Sequence, residues 1–433
     1  MWRFIFLVFV FTRAQASIAQ EAQRYEQKLP YSLLKTSTSI NDSCVVSVKL
    51  KRQVSKSFFP TSAKILKEIS PGFFIVRIKR NDLFSLSDIP EVIFINEYHE
   101  AREELSSGAS DPTLNTINYV HNRYPSLNGD SLYVSIKERL FDTSDIDLKG
   151  RVFLTGWESS FQTAHASLMA TIIGGAANSS PSADGVAQSV HLTSASFDRL
   201  FPEPDSVFVK NKIYVQNHSY GTVVENFYGN EATAYDEQVI RIPTLLHVFS
   251  AGNSGNITNN SGPYSGVSAF ANLTGNFKQA KNIITVGSLD SAGQLLPLSS
   301  KGPAYDGRIK PELMAYGEDG SSGAAALVSG AALLVQDAYK RNYHAIPSAA
   351  LVKAVLVNSA DDVGPDHPDY YSGFGNLNTF RAVATIAEAR FAESDVTQNQ
   401  VKSFSLVIPQ GISRIKVTLA WNDPAAVPNS HKS

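Results

Sequence analysis

A serine at the start of a long apolar run is the best candidate nucleophile in this sequence. The run begins at Gly320-Ser321-Ser322-Gly323 and contains no charged residue before Asp337. A helix that is apolar on all sides belongs in the core of a large domain. Its first turn carries unpaired backbone N–H groups and the positive end of the helix dipole, which both favour developing negative charge. Ser322 is therefore a candidate nucleophile, although Ser321 or Ser322 could equally be a helix cap.

Three further polar side chains are expected to lie near Ser322. Glu138 follows an apolar strand, His165 opens a helix, and Asn253 follows another apolar strand. Sites in parallel sheets form at the carboxyl ends of the strands, so these groups are expected to meet at one edge. An acid that orients an imidazole, next to a hydroxyl that the imidazole deprotonates, performs nucleophilic catalysis. His165 as a helix cap and Asn253 as a turn residue are the simpler alternatives.

The elements that must position these residues alternate between strands and helices from Thr113 onward. Short apolar strands are predicted at 132–136, 213–215, 245–249 and 283–286, and helices at 165–173 and 349–358. Such alternation predicts an α/β fold in which helices cover both faces of a mostly parallel sheet. Residues 111–390 are therefore predicted to form one domain.

The preceding residues, 20–110, are predicted to form a separate small α+β domain, called here the N-terminal unit. Alternating apolar residues predict strands at 44–51, 74–78 and 92–95, with short helices at 62–68 and 81–86. A polar stretch at 103–112 that contains Gly108 and Pro112 is typical of a linker that a protease could cut.

Both ends of the chain carry further signals. Residues 1–19 combine Arg3, eight apolar residues at 4–11 and small residues near a cleavage site, which predicts an export signal. Eight apolar residues are far fewer than the roughly 20 that span a membrane. The mature protein is therefore predicted to be secreted or at the cell surface, with no membrane contact after signal removal. Strand-like stretches at 403–408 and 415–421 predict that residues 391–433 begin a further, incomplete β domain.

Composition excludes several classes of function. The chain has 433 residues, a formal charge of −2 and a pI near 6.5. A nucleic-acid partner is not expected, because no broad basic surface is available. The single cysteine, Cys44, excludes an intramolecular disulfide framework and a cysteine-rich metal site.

Five motifs resemble those of the subtilisin-like serine peptidases, the subtilases. Residues 320–330 resemble the serine motif Gly-Thr-Ser-Met-Ala-Ala-Pro, and residues 165–171 loosely match the histidine motif His-Gly-Thr-x-Val-Ala-Gly. Ala251-Gly252-Asn253-Ser254-Gly255 closely matches the oxyanion asparagine motif. Residues 219–221 resemble the strand that pairs with extended substrate, and residues 299–311 resemble a run that precedes the family's serine.

This resemblance implies a subtilisin-like three-layer fold, protein or peptide substrates, and an inhibitory propeptide at residues 20–110. It also implies peptide-bond hydrolysis through an acyl-enzyme, with Ser322 as nucleophile, His165 as general base and Asn253 as oxyanion donor. The implied substrate-binding residues are Ser219, Tyr220, Gly221, Ser250 and Gly252. No cofactor is implied with certainty. Structural calcium is common in the family, but the sequence shows no ligand cluster for it.

One position departs from the family pattern. Where subtilases have an aspartate that orients the histidine, an alignment without gaps to Asp147-Leu148 places Glu138. Glutamate fills this role in some α/β-hydrolases, so it can suffice here. Asp142 is an alternative acid, expected beyond the strand end and facing solvent. Lys137 and Arg139 are expected to point away from Glu138, because side chains alternate along a strand.

Two other functions remain open at this point. The unusual acid and the relaxed motifs are compatible with a subtilase-fold protein that binds peptides without cutting them. An α/β-hydrolase esterase fits poorly, because Ala324 stands where its Gly-x-Ser-x-Gly motif needs glycine, and its acid and histidine follow the serine. The specificity pocket is expected around Ser219, Ser250 and residues 263–269, and no charged residue in the sequence predicts its preference.

Overall fold

The computed structural model describes residues 28–30, 33, 42–51, 58–103, 111–260, 262–317, 320–408 and 410–430. The predicted export signal and residues 104–110 of the predicted linker lie outside these ranges. Within the described ranges, no helix is at once long enough and apolar enough to cross a membrane.

The N-terminal unit contains a four-stranded antiparallel sheet. Its strands are β1 (Ser43–Leu50), β2 (Lys64–Ser70), β3 (Phe73–Lys79) and β4 (Val92–Glu97), in the order β2-β3-β1-β4. A 3₁₀ turn (Arg80–Asp82) and the short helix α1 (Leu83–Ser87) connect β3 to β4. The alternating apolar residues form a core of their own, which confirms the predicted strands at 44–51, 74–78 and 92–95; it includes Val46, Val48, Val76, Leu86 and Ile95. A two-residue strand, β5 (Arg102–Glu103), follows.

The helix predicted at 62–68 is wrong, because this segment forms β2. Pro71-Gly72 makes a tight turn in which Gly72 has a positive φ of 84°. The turn folds β2 back onto β3, so that Ser70 faces Phe73 and Lys64 faces Arg77. A Pro-Gly pair between two polar-apolar segments is a hairpin signal, and the cross-strand hydrogen bonds override the weak helical pattern.

The main sheet has six parallel strands. They are β6 (Tyr133–Glu138), β7 (His191–Ser196), β8 (Ile213–His218), β10 (Leu246–Ser250), β11 (Ile284–Leu289) and β12 (Leu313–Tyr316), in the order β12-β11-β10-β8-β6-β7. The two-residue strand β9 (Tyr220–Gly221) follows β8 and pairs with β5. The four strands predicted from apolar runs are confirmed. Sequence reasoning does not predict β7, whose residues are largely polar, or the four-residue β12.

Helices cover both faces of this sheet, as predicted. They are α2 (Ile117–Arg123), α3 (Ala164–Gly174), α4 (Asp205–Asn211), α5 (Asn230–Arg241), α6 (Ser321–Tyr343), α7 (Ala349–Ser359) and α8 (Thr379–Ala387). The side chains of Leu246 and Val248 join the core around α6, whereas Phe249 packs on the opposite face with Tyr235 of α5. Helix α6 packs against α3, α8 and four strands, which explains why its sequence is apolar on every side.

The strands predicted at 403–408 and 415–421 do not form among the described residues. These segments have no hydrogen-bonded partner strand, and their apolar side chains are exposed, with Val407 at 97% and Leu419 at 81%. A strand is stabilised by its neighbours, so alternation alone does not create one. The further β domain stays a prediction.

Candidate active site

Ser322 lies in the first turn of α6, and this helix directly follows Gly320, a glycine that no other residue could replace without strain. Gly320 has φ 135°, and an added Cβ would lie 2.2 Å from the amide nitrogen of Asn253. Gly320 is also the N-cap residue, and no side chain caps the helix. Ser322 Oγ lies 3.4 Å from the carbonyl oxygen of Ser219, and Ser219 Oγ donates to the carbonyl oxygen of Ser322 at 3.0 Å. The helix-cap explanation for Ser321 and Ser322 is therefore wrong.

Asn253 is fixed in orientation by Ser321. Its Oδ1 accepts a hydrogen bond from the backbone N–H of Ser321 at 2.9 Å and another from the Ser321 hydroxyl at 3.2 Å. The same hydroxyl accepts from the backbone N–H of Gly252 at 2.9 Å. The left-handed residue in this turn is Gly252, with φ 113°, and not Asn253. With its oxygen engaged, the Asn253 side chain has its NH₂ group for other acceptors, as an oxyanion donor requires.

Glu138 and His165 meet at the carboxyl end of β6. His165 Nδ1 lies 3.5 Å from Glu138 Oε2; the Glu138 side chain is fully buried and that of His165 is 7% exposed. Thr163 is the N-cap of α3 and accepts from the backbone N–H of Ala166, so His165 does not cap its own helix. A carboxylate at Nδ1 favours the tautomer in which the proton is on Nδ1 and Nε2 can act as a base.

The helices that carry His165 and Ser322 pack against each other. Helix α3 contacts α6. A Cβ added at Gly323, in the first turn of α6, would lie 3.6 Å from the side chain of Ile172, in the last turn of α3. Lys137 of β6 lies opposite His218 of β8, so the residues that follow them, Glu138 beside His165 and Ser219 beside Ser322, lie at the same edge of the sheet.

The alternative acid, Asp142, is engaged elsewhere. Its carboxylate accepts from the backbone N–H and the hydroxyl of Ser144, at 2.9 and 2.7 Å, in an exposed turn. These hydrogen bonds hold the pKa of Asp142 below its ordinary value. Asp147, the reference point of the alignment, is buried and its Oδ1 accepts from the backbone N–H of Ser179 at 3.0 Å. Glu138 is thus the described acid that contacts His165 from β6.

The basic residues that flank Glu138 form ion pairs with other acids. Lys137 is fully buried and its ammonium lies 2.7 Å from Glu203 Oε1 and 2.6 Å from the carbonyl oxygen of Phe201. Arg139 pairs with Asp198 at 2.7 Å and lies over the ring of Phe197. Both therefore point away from Glu138, as their alternation in the sequence predicts.

A third acid, Glu103 of the N-terminal unit, lies close to Glu138 and His165. Strand β5 pairs antiparallel with β9, with Arg102 opposite Gly221 and Glu103 opposite Tyr220. Glu103 Oε1 accepts from the hydroxyl of Thr163 at 2.5 Å. Ligand atoms of Glu103, Glu138 and His165 lie within 4.8 Å of one another, a donor set that could hold a divalent metal ion. Sequence reasoning places Glu103 in a linker, and only its position beside a predicted cut could have singled it out.

The predicted substrate-binding residues lie on adjacent strands. β8 and β10 pair with His218 opposite Phe249, so Ser219 and Ser250 are neighbours one residue further along. Sequence reasoning finds no charged residue here, but the structure places one: the ammonium of Lys278 lies 3.5 Å from Ser250 Oγ and 2.7 Å from Thr274 Oγ1. Lys278 is fully buried in a 3₁₀ turn, Asn276–Gln279.

The N-terminal unit contacts the main domain through a second interface, at the start of α5. The carboxylate of Glu231 accepts from Asn96 Nδ2 at 3.1 Å and from Ser47 Oγ at 3.3 Å, and the amide of Asn230 donates to Ser47. Burial raises the pKa of Glu231 to about 7, and the neighbouring carboxylate of Glu225 adds to this effect. The interface therefore encloses a carboxyl group that titrates near neutral pH.

Comparisons with known proteins find similarity to subtilases. A model of the subtilase family matches residues 129–375, more than half of the chain. The serine protease/ABC transporter B family protein tagA of Dictyostelium discoideum is 27% identical over an alignment of 184 residues, and the match covers 30% of this chain and 10% of that protein. This chain thus spans about a tenth of the length of that relative.

Two solved structures are among those that match this chain. Fervidolysin from Fervidobacterium pennivorans, a keratinolytic enzyme related to subtilisin, is 14% identical with a TM-score of 0.55, and the match covers 82% of this chain and 62% of that one. The patellamide maturation protease PatA is 20% identical with a TM-score of 0.45, over 60% of this chain and 98% of its own. The similarity to fervidolysin concerns the fold alone. Because the family model spans all six strands of the main sheet and the helices that carry His165 and Ser322, this chain belongs to the subtilase family.

Proposed function

We propose that the protein is a serine endopeptidase that hydrolyses peptide bonds through an acyl-enzyme with a Glu-His-Ser triad. The observation that carries the proposal is the 3.5 Å contact between His165 Nδ1 and Glu138 Oε2, where His165 lies on a helix packed against the one whose first turn contains Ser322. Family membership supports the same conclusion.

In the first half-reaction, Ser322 Oγ attacks the carbonyl carbon of the substrate and its proton passes to Nε2 of His165. The negative charge on the carbonyl oxygen receives hydrogen bonds from the backbone N–H of Ser322 and the amide of Asn253. His165 then gives its proton to the leaving amine as the carbon–nitrogen bond breaks. A water molecule, deprotonated by the same imidazole, hydrolyses the resulting ester.

Glu138 orients the imidazole and stabilises it when it becomes a cation. Its full burial favours this role, because an ion pair is strengthened where water is excluded. The longer side chain of glutamate is the main difference from the family pattern. Geometric errors near 1 Å can cost about 100-fold in rate, so the position of this carboxylate matters.

The N-terminal unit is proposed to be an inhibitory propeptide of an exported zymogen. Its β5 strand pairs with Tyr220–Gly221, the strand expected to bind extended substrate. Strand addition of this kind provides affinity through backbone hydrogen bonds and blocks the same edge to other peptides. Export followed by a cut in the linker at 103–112 would then give a secreted or cell-surface enzyme.

A fluorophosphonate probe tests the enzymatic proposal against the alternative of a binding protein. The probe is mixed with mature protein that lacks the N-terminal unit. Labelling is expected at Ser322, and Ser322→Ala and His165→Ala are expected to remove it. Asn253→Ala, the matched control, removes an oxyanion donor but leaves the nucleophile and base, so labelling survives at a lower rate. Folded wild-type protein without labelling would exclude the peptidase and leave the peptide-binding alternative.

A further inference from the structure

The geometry points to a preference for peptides with an acidic residue, glutamate or aspartate, immediately before the cleaved bond, and to Lys278 as the residue that sets it. This inference rests on the proposed peptidase function, since it concerns the side chain that the same site accepts.

The register of β5 identifies which substrate residue is cleaved. Arg102 lies opposite Gly221 and Glu103 opposite Tyr220, so a residue one position further along such a strand lies opposite Ser219. The carbonyl oxygen of Ser219 lies 3.4 Å from Ser322 Oγ. A peptide bound in this register therefore presents to Ser322 the carbonyl of the residue opposite Ser219.

The surroundings of Ser219 show what the side chain of that residue meets. Ser250 is the neighbour of Ser219 on the adjacent strand, and its hydroxyl lies 3.5 Å from the ammonium of Lys278. Lys278 also donates to Thr274 Oγ1 at 2.7 Å. Thr274 in turn lies against Gly252, where an added Cβ would be only 2.3 Å from its hydroxyl. Gly252 donates to Ser321, the residue before the nucleophile. Three successive contacts, Lys278 with Thr274, Thr274 with Gly252 and Gly252 with Ser321, therefore connect Lys278 to the serine motif.

The chemistry of Lys278 selects for charge. Its side chain is fully buried, and an ammonium inside a protein favours a negative group nearby and opposes another cation. The hydroxyls of Ser250 and Thr274 are flexible in hydrogen-bond direction, so they can hold the ammonium and also donate to a carboxylate. Hydrogen bonds to charged groups differ from neutral ones enough to give a preference of roughly 10- to 100-fold for glutamate over glutamine.

The residue that follows Glu103 in the sequence is acidic. Glu104 follows Glu103 and lies outside the described residues. An enzyme that cuts after an acidic residue is therefore expected to separate Glu104 from Leu105, so the mature chain would begin at Leu105.

Peptides that differ in one residue test the inference. The mature enzyme is given matched substrates with Glu, Asp, Gln, Leu or Lys before the cleaved bond, and kcat/KM is measured for each. The wild type is expected to prefer Glu over Gln by roughly 10- to 100-fold and to cleave the Lys peptide slowest. Lys278→Met should remove the preference, Lys278→Arg should retain it, and Lys278→Glu should shift it towards Lys. Lys301→Met is the control, because Lys301 is a partly buried lysine whose Nζ donates to the carbonyl oxygen of Gly255 instead.

The outcomes distinguish failure of the acidic preference from failure of the proposed peptidase activity. A wild-type enzyme that is labelled by fluorophosphonate yet cleaves Leu or Gln peptides as fast as Glu peptides overturns the inference and leaves the peptidase intact. Absence of both labelling and cleavage overturns the peptidase itself. The kcat/KM values of the wild-type enzyme alone decide whether an acidic preference exists, so the test does not depend on whether the Lys278 variants fold. A mature N-terminus elsewhere than Leu105 would also contradict the inference.

Discussion

Replacing Glu231 with glutamine is expected to change how the stability of the full chain depends on pH. Glu231 lies under the N-terminal unit, and burial raises its pKa to about 7 from an ordinary value of 4.5. A carboxyl group whose pKa is raised in the folded state stabilises the folded protein most at pH values below its pKa in the unfolded state, where it is protonated in both states. Its contribution to stability is therefore lost as pH rises from about 4.5 through about 7.

The size of the effect follows from these two values. The difference between 4.5 and about 7 corresponds to about 3 kcal/mol, because each tenfold change in proton affinity corresponds to about 1.4 kcal/mol. Most of this, about 2 to 3 kcal/mol, accrues between about pH 5 and pH 8. Glutamine keeps the shape of the side chain and can accept one of the two hydrogen bonds that the carboxylate receives from Ser47 and Asn96, but it cannot ionise. The variant should therefore gain about 2 to 3 kcal/mol relative to the wild type across this interval.

Urea unfolding at a series of pH values measures the difference. Both proteins carry Ser322→Ala, so that self-cleavage cannot confuse the result. The comparison uses the change in the free energy of unfolding with pH, not its absolute value, because the substitution also alters packing. Asn230→Ala is the matched control: it removes the hydrogen bond to Ser47 in the same interface but no titrating group, so its curve should run parallel to that of the wild type. Parallel curves for Glu231→Gln as well, within about 0.5 kcal/mol, would refute the reasoning.

Three predictions concern the active site. Glu138→Gln should lower turnover by about 10⁴-fold, as for a neutralised triad acid, whereas Asp142→Asn should cost less than tenfold; the reverse order in steady-state kinetics would transfer the role to Asp142. Asn253→Ala should lower kcat by about 100- to 1,000-fold with little change in KM, which is the cost of removing the oxyanion asparagine of subtilisin, and an unchanged kcat would argue against an oxyanion role. Gly320→Ala should abolish probe labelling of Ser322, because the new methyl collides with the Asn253 amide, and normal labelling of this variant would contradict the described turn.

The sequence predicts most of the scaffold because the main sheet is buried on both faces. Strands such as β10 are rich in apolar residues, and the charge-free start of α6 predicts a central helix. The proximity of Glu138 and His165 also follows from sequence, because the carboxyl ends of parallel strands meet at one edge. The polar strand β7 is not predicted from the sequence, because it forms through hydrogen bonds to β6 and has no apolar pattern that would indicate a strand.

Other features depend on contacts that no local pattern reveals. Lys278 lies in a polar segment, and nothing in the sequence around it distinguishes a lysine that points inward from one in solvent. Its contact with Ser250 joins residues 28 positions apart. Glu103 likewise becomes part of the site only through the pairing of β5 with β9. The apolar alternation at 403–408, in contrast, predicts a strand that no described neighbour stabilises.

The pairing of β5 with β9 has a consequence for how the protein responds to dilution. A segment that is covalently attached to the surface it occupies has an effective concentration in the millimolar range, whatever the concentration of the protein. Dilution therefore cannot open the cleft of the intact chain, and a competing peptide would need millimolar amounts to enter. Once the connection is cut, the N-terminal unit binds as a separate molecule and its occupancy of the cleft follows mass action. A single hydrolytic event would therefore make this occupancy depend on the protein concentration.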